Sequence, residues 1–257
     1  MKARRAVRAK TVYNPIIIAL PAKIKQNVSF RNKKTLPPFA AYIVTENFAN
    51  FEERGTLMQR LVLPINNFKP TAGYKSKNYR SKFGFWHYGV DCVGGDTVYA
   101  LGNGTVKLVG NDGKNGKTTG KTSGCGFVAI VVYRECENNK TEKPADLTVT
   151  YMHLREMPKV KAGQTVTKDT VIGYMGSTGA YTTGKHLHIQ MDTDTRFWQY
   201  CAGLKRRSYG VFKFAKGGNV DSTVNPTDYL WVDKNQRVTA GKSEWYDRKE
   251  FANLPNI

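Results

Sequence analysis

Three features of the 257-residue sequence predict a mostly β fold built around an antiparallel sheet. From Leu61 onward, short apolar runs are separated by Gly, Asn and Asp, the texture of strands joined by turns. No long amphipathic helical pattern occurs between residues 61 and 232. Phe127–Tyr133 is apolar on both faces, as a strand buried at the centre of a sheet requires. With 40% hydrophobic and 12% aromatic residues the chain can bury a real core, which excludes disordered, collagen-like and coiled-coil classes.

Residues 1–60 read as a basic N-terminal extension. Between Met1 and Lys34 there are ten cations (Lys2, Arg4, Arg5, Arg8, Lys10, Lys23, Lys25, Arg31, Lys33, Lys34) and no acid. A Pro-containing stretch, Leu36-Pro37-Pro38, and an amphipathic patch over Phe48–Leu57 follow. The predicted strands are Thr97–Leu101, Gly104–Val109, Phe127–Tyr133, Leu147–His153, Thr170–Met175 and His186–Met191. Asn111–Gly126, rich in Gly, Lys and Thr, reads as a mobile hairpin loop. Residues 233–257 lie beyond the strand-rich body, 61–232, and form a C-terminal extension.

The formal net charge is +20, with 40 Lys and Arg against 20 Asp and Glu. A field of that size attracts polyanions: nucleic acid, acidic membrane or an anionic cell wall. The basic arm carries half of it. The early apolar run Ile16–Ala22 is short and broken by Pro21, so it makes no clear signal peptide. No 18-residue apolar stretch exists, so no membrane span is expected. The four cysteines (Cys92, Cys125, Cys136, Cys201) contain no CxxC pair. They read as scattered structural thiols, and the spacing leaves a Cys136–Cys201 disulfide open.

Chemistry concentrates in the four histidines, His87, His153, His186 and His188. Side chains alternate along a strand, so residues i, i+2 and i+4 share a face. His87-Tyr-Gly-Val-Asp91 can thus aim an imidazole and a carboxylate to one side. His186-Leu-His188 presents two imidazoles while Leu187 enters the core. A lone strand histidine is more often a hydrogen-bonded core or surface residue than a ligand. All four histidines of the chain falling in three such segments, one with an Asp at i+4, point instead to a nitrogen and oxygen site for zinc.

These segments carry a resemblance. His87-Tyr-Gly-Val-Asp91, Tyr151-Met-His-Leu154, Val160-Lys-Ala-Gly-Gln-Thr-Val166, Ile172-Gly-Tyr-Met-Gly-Ser-Thr-Gly179 and His186-Leu-His188 stand in one order. With the Asn225-Pro226 tail, they make the chain resemble the lysostaphin-type zinc metalloendopeptidases, which cut peptide cross-links in bacterial peptidoglycan. The resemblance spans about Leu61–Val232 and implies an antiparallel peptidase core of the duplicated hybrid-motif type. It implies zinc ligands at His87, Asp91 and His188, with His153 and His186 as catalytic histidines that do not bind metal. Spacing alone does not choose between His186 and His188; the resemblance does. Three protein ligands leave the open fourth position of a catalytic site. There is no helical HExxH signature, so no Glu base of that kind. Tyr79 stands where relatives place a Tyr, which makes it a candidate oxyanion donor. It joins Trp86, Tyr88 and Tyr181 as candidate cleft aromatics.

Two departures stand out. The turn Ala180–Lys185 is one residue longer than usual in the family, which reshapes the groove rather than the strand. Gln190 stands where many members carry Glu. Two other function classes compete. A metal-free regulator on the same fold would lack ligands, whereas here every position is filled. A nucleic-acid-binding protein would carry a basic, aromatic-rich recognition motif, and none is found, so no nucleic-acid partner is expected. The expected partners are cross-bridge peptides, anionic wall polymers through the basic arm, and other virion proteins. The expected place of action is the bacterial wall. A virion-borne or prophage lysin is the reading adopted, with a secreted hydrolase as its alternative.

Overall fold

The computed structural model of the protein describes residues 58–112, 124–180, 182–195, 221–241 and 243–257. The basic arm, the Phe48–Leu57 patch, Tyr181 and Cys201 lie outside the described residues, as does most of the predicted loop between 111 and 126. Residues 55–257 form one compact unit.

The main sheet is laid out around strand β6 (Gly126–Glu137), whose residues Val128–Tyr133 are all buried. The apolar run Phe127–Tyr133 places it between β5 (Gly104–Asp112) and β7 (Pro144–Leu154), both antiparallel to it. Its long apolar repeat needs cover on both faces, and only an interior position supplies that. Beyond β7 come β10 (Leu187–Asp192), β3 (Val90–Val93) and β2 (Lys69–Ala72), while β8 (Thr165–Val166) closes the opposite edge. A short strand β11 (Thr223–Val224) pairs with the end of β10. Two small ladders lie outside this sheet: β1 (Leu61–Val62) parallel to β12 (Leu230–Trp231), and β4 (Thr97–Tyr99) antiparallel to β9 (Val171–Tyr174).

Each predicted strand is found, with ends shifted by a few residues. β6 and β7 run longer than their apolar centres suggested because the pairing continues past bulges at both ends of β6. Hydrogen bonding, not side-chain pattern, extends a strand into polar sequence. In the core, the Tyr133 and Tyr151 hydroxyls share a 2.6 Å hydrogen bond, and the Leu101 amide donates to Tyr133 Oη at 3.0 Å. Buried polar atoms are thereby satisfied, as low-dielectric surroundings demand.

A short helix α1 (Lys77–Phe83) precedes the first histidine. Ser76 caps its start by accepting from the Tyr79 amide, and Gly84, at φ 79°, ends it in the left-handed conformation that glycine adopts without strain. It buries no residue, so no hydrophobic periodicity announces it. The segment after residue 232 is stitched into the body. Tyr246, Phe251 of helix α2 (Arg248–Ala252) and Leu254 belong to the same hydrophobic core as β6 and β7, and Phe251 stacks with Phe68 at 6.1 Å. Among the described residues, no helix is long and apolar enough to cross a membrane. Cys92 and Cys136 are buried free thiols, and Cys125 is buried as well.

Candidate metal centre

Asp91 and His188 face each other directly across the antiparallel pair of β3 and β10, in a register set by Leu187 opposite Cys92 and Ile189 opposite Val90. Those flanking side chains are fully buried, so the apolar face fixes which residues turn toward the cleft. His87 enters from the segment just before β3. Its Nε2 lies 3.1 Å from Asp91 Oδ1 and 3.0 Å from His188 Nδ1, and His188 Nδ1 is 2.8 Å from Asp91 Oδ1. One ligand atom from each of the three residues lies within 4.8 Å of the others.

Gly89 makes this closeness possible. A Cβ there would stand 2.6 Å from His188 Nε2 and 2.3 Å from the Ile189 carbonyl. The His188 ring is therefore packed on its Nε2 side and turns Nδ1 toward Asp91. His87 is fixed by the opposite device: its Nδ1–H donates to the Gly73 carbonyl at 2.9 Å, leaving the Nε2 lone pair for the centre. Two imidazole nitrogens and a carboxylate oxygen, about 3 Å apart, suit a tetrahedral cation such as zinc, whose ligand atoms at about 2.0–2.1 Å would stand roughly 3.3 Å from one another.

The protonation states suit the same purpose. Burial alone would push the Asp91 carboxyl up, but His87 and His188 outweigh it and hold the group well below the usual carboxylate range. Burial pushes His188 down despite its bond to Asp91, so it keeps a lone pair at neutral pH. For His87, burial works downward too, but the charge and hydrogen bond of Asp91 overcome it and the net shift is upward.

The other two histidines stand beside this group. His186 Nδ1–H donates to the Gly184 carbonyl at 2.8 Å, and His186 Nε2 is 3.7 Å from Asp91 Oδ1. His153 closes β7; its Nδ1–H donates to the Thr178 carbonyl at 2.8 Å. The two rings are 4.8 Å apart. His153 takes a left-handed φ of 61°, a strained conformation for a residue with a side chain, held by the hydrogen bond that its amide donates to the Cys125 carbonyl at 2.9 Å. Burial first, then the nearby His186 and His188, push its pKa down to about 3. A neutral imidazole with a free Nε2 is the form that accepts a proton.

The Tyr79 ring lies on His87 with centroids 4.7 Å apart and planes tilted by 34°. Burial and the charge of Asp91 raise its phenol to about 12, so it keeps its proton and remains a donor. Trp86 is half-buried under Arg80, whose guanidinium lies 4.4 Å over the indole, and Tyr88 is half-buried near the Lys75 ammonium. Three aromatic side chains not singled out from the sequence extend this wall: Phe83, Phe85 and Trp245. Phe83 and Phe85 are exposed. Their proximity to Asn78-Tyr79 was a usable signal; nothing in the sequence tied Trp245 to the site.

The longer turn is anchored at its described end. Lys185 pairs with Asp96 at 2.6 Å, and Gly176 pairs with His186 as β10 begins, so the turn leaves the strand register intact. Gln190 is buried on β10 and donates to Asp192 at 2.9 Å. Burial raises the carboxyl of Asp192, two residues further along the strand, to about 7.

Known proteins were compared with this chain. The family described as Peptidase family M23 matches residues 86–199, a span that holds all four histidines and Asp91. A zinc-containing peptidase from Vibrio cholerae is 23% identical, with a TM-score of 0.40, over 52% of this chain and 37% of its own. The solution structure of lysostaphin is 27% identical, with a TM-score of 0.40, over 53% of this chain and 48% of its own. The catalytic domain of lysostaphin from Staphylococcus simulans is 23% identical, with a TM-score of 0.38, over 63% of this chain and 90% of its own. The chain thus spans less than half the length of the first two. The likeness to peptidase family M23 thus rests on residues 86–199, which hold the whole candidate metal centre.

Proposed function

We propose that the protein is a zinc-dependent endopeptidase that hydrolyses peptide cross-links of bacterial peptidoglycan. The observation that carries this reading is the convergence of His87 Nε2, Asp91 Oδ1 and His188 Nδ1, with two further imidazoles beside them. A zinc ion held by those three residues would polarise the scissile carbonyl and lower the pKa of a bound water, making hydroxide available as the nucleophile near neutral pH. His186, with Nε2 turned toward Asp91, and His153, neutral at physiological pH, are the groups that take and return the proton. The Tyr79 hydroxyl, protonated throughout the working range, donates to the oxygen on which charge develops. The aromatic wall of Tyr79, Phe83 and Phe85 borders the space where a flexible peptide would lie.

The basic arm supports a second component of the same reading: adsorption to anionic wall polymers, with gains from counterion release. Delivery by a virion or release on lysis also belongs to this reading.

The deciding experiment incubates purified protein with walls of several cross-bridge chemotypes, before and after chelation and after zinc is added back. Released peptides are identified by mass spectrometry. New amino termini within cross-bridges, lost on chelation and restored by zinc, are expected. Cleavage that persists with zinc verified absent would overturn the metal mechanism. Release of sugars alone would overturn the endopeptidase.

A further inference from the structure

We infer that the C-terminal segment 243–246, centred on Trp245, is a positioning element for the metal centre. It lies beyond the matched family region and contributes no candidate ligand. The inference rests on the reading of His87, Asp91 and His188 as ligands.

The physical link runs through Gly73. Its carbonyl accepts the Nδ1–H of His87, and its amide donates to the Trp245 carbonyl at 2.9 Å. One residue therefore receives its position from the C-terminal segment and selects the tautomer of a ligand histidine. Gly73 is buried, and a Cβ there would meet Tyr246 Cβ at 3.0 Å, so the two backbones pass too closely for another side chain to fit without movement. Ser243 fastens the same crossing: its hydroxyl donates to the Thr71 carbonyl at 2.9 Å and accepts from the Trp245 amide at 3.2 Å. On the other side, Asn78 donates to the Glu244 carbonyl at 2.9 Å.

The second link is the ring stack. The Trp245 indole meets Tyr79 edge-on at 6.2 Å and 81°, and Phe83 at 5.5 Å and 71°. Tyr79 in turn lies on His87. The segment thus restrains His87 from two directions: the carbonyl that holds its Nδ1–H and the ring that covers its face. Outer partners that fix a ligand's tautomer and orientation typically change metal affinity about 10–100-fold when lost.

The test uses the full-length protein and two readouts that do not depend on turnover. Zinc affinity is measured by competition with a chromophoric chelator, and the His87 tautomer is read in the zinc-free protein from imidazole nitrogen chemical shifts. Trp245→Ala is expected to weaken zinc binding about tenfold or more and to mix the His87 tautomers, with Trp245→Phe restoring most of both. Ser243→Ala should act in the same direction with a smaller effect, and serves if Trp245→Ala fails to fold. Phe251→Leu, a core change in the adjoining helix, should lower thermal stability while leaving affinity and tautomer as in the parent. Parent-like affinity and tautomer in Trp245→Ala and Ser243→Ala would overturn the inference, as would equal losses in Phe251→Leu. If Asp91→Ala binds zinc like the parent, the metal reading itself fails, and the tautomer in zinc-free protein still decides the positioning claim.

Discussion

His87 and His153 are the same residue in two opposite settings, their rings 4.8 and 6.2 Å from that of His188. Both are buried, and both donate Nδ1–H to a backbone carbonyl, Gly73 for one and Thr178 for the other. What differs is the neighbour of the free nitrogen. His87 faces Asp91, and the carboxylate overcomes burial to raise its proton affinity. His153 faces His186 and His188, and burial with two imidazoles drives its pKa to about 3. Asp91 reaches His87 and His188 within 3.1 Å, the side suited to a cation, whereas His186 stands off at 3.7 Å and His153 stays neutral. On the proposed function, the contrast divides four chemically identical side chains into a ligand pair and a proton-transfer pair.

The strongest way to break that division is to remove the carboxylate. Asp91→Ala should release zinc and reduce wall hydrolysis to background, because it deletes a ligand and leaves His87 and His188 facing each other. Metal analysis and wall-clearing assays on one preparation check this. Zinc retained at one ion per chain would mean that the carboxylate does not define the metal side.

Next come the two histidines on the other side. His153→Ala and His186→Ala should keep zinc and lose about 10²–10⁴-fold in rate, the usual range for general acid–base groups. Zinc content measured beside kcat separates the outcomes. Zinc lost from His186→Ala and kept in His188→Ala would exchange the roles of His186 and His188.

How far this division was legible in the sequence depends on which atoms carry it. Strand alternation puts His186 and His188 on one face with Leu187 in the core, and the strands that position them follow from their apolar centres. The gathering of Asp91 opposite His188 needs only a register set by Cys92, Val90 and Ile189. Backbone partners are another matter. That Gly73 and Thr178 hold the rings, or that His153 takes a left-handed φ, depends on chain crossings that no side-chain pattern encodes. Helix α1 escaped notice because it buries nothing, and its signals were only a Ser cap and a closing Gly. Trp245 escaped because its role arises from a backbone crossing between remote segments.

Acid should separate the two settings in zinc-free protein. In the unfolded chain each histidine titrates near 6.5. His153, with its folded pKa lowered to about 3, stays neutral in the native state while the unfolded chain takes up a proton. It therefore costs stability progressively as pH falls from about 6.5 toward 3. His87, with its folded pKa raised, contributes stability that is fully present below about 6.5 and lost as pH rises through its folded value. Asp91 is held below the ordinary carboxylate range, so its own contribution persists above about 4. Between pH 7 and 4.5, His153→Gln should lose about 2–3 kcal/mol less stability than the parent. His87→Gln should lose more than the parent. Urea unfolding at the two pH values measures both. Parallel losses in the two variants would erase the contrast.

The finest distinction concerns Tyr79, whose ring lies on His87 and whose hydroxyl is proposed to meet the substrate. Tyr79→Phe keeps the ring on His87 and removes only the donor, whereas Tyr79→Ala removes both. If the hydroxyl works on the developing oxyanion, the Phe variant should keep parent zinc affinity and lose kcat about tenfold. That is below the roughly 10²–10³ of a fully enclosed donor, because Tyr79 is only half-buried and water partly replaces it. The Ala variant should add a loss of zinc affinity, since the face of His87 is then uncovered. An unchanged kcat in Tyr79→Phe with weakened zinc in Tyr79→Ala would assign the residue to the metal side alone, as a ring that steadies His87.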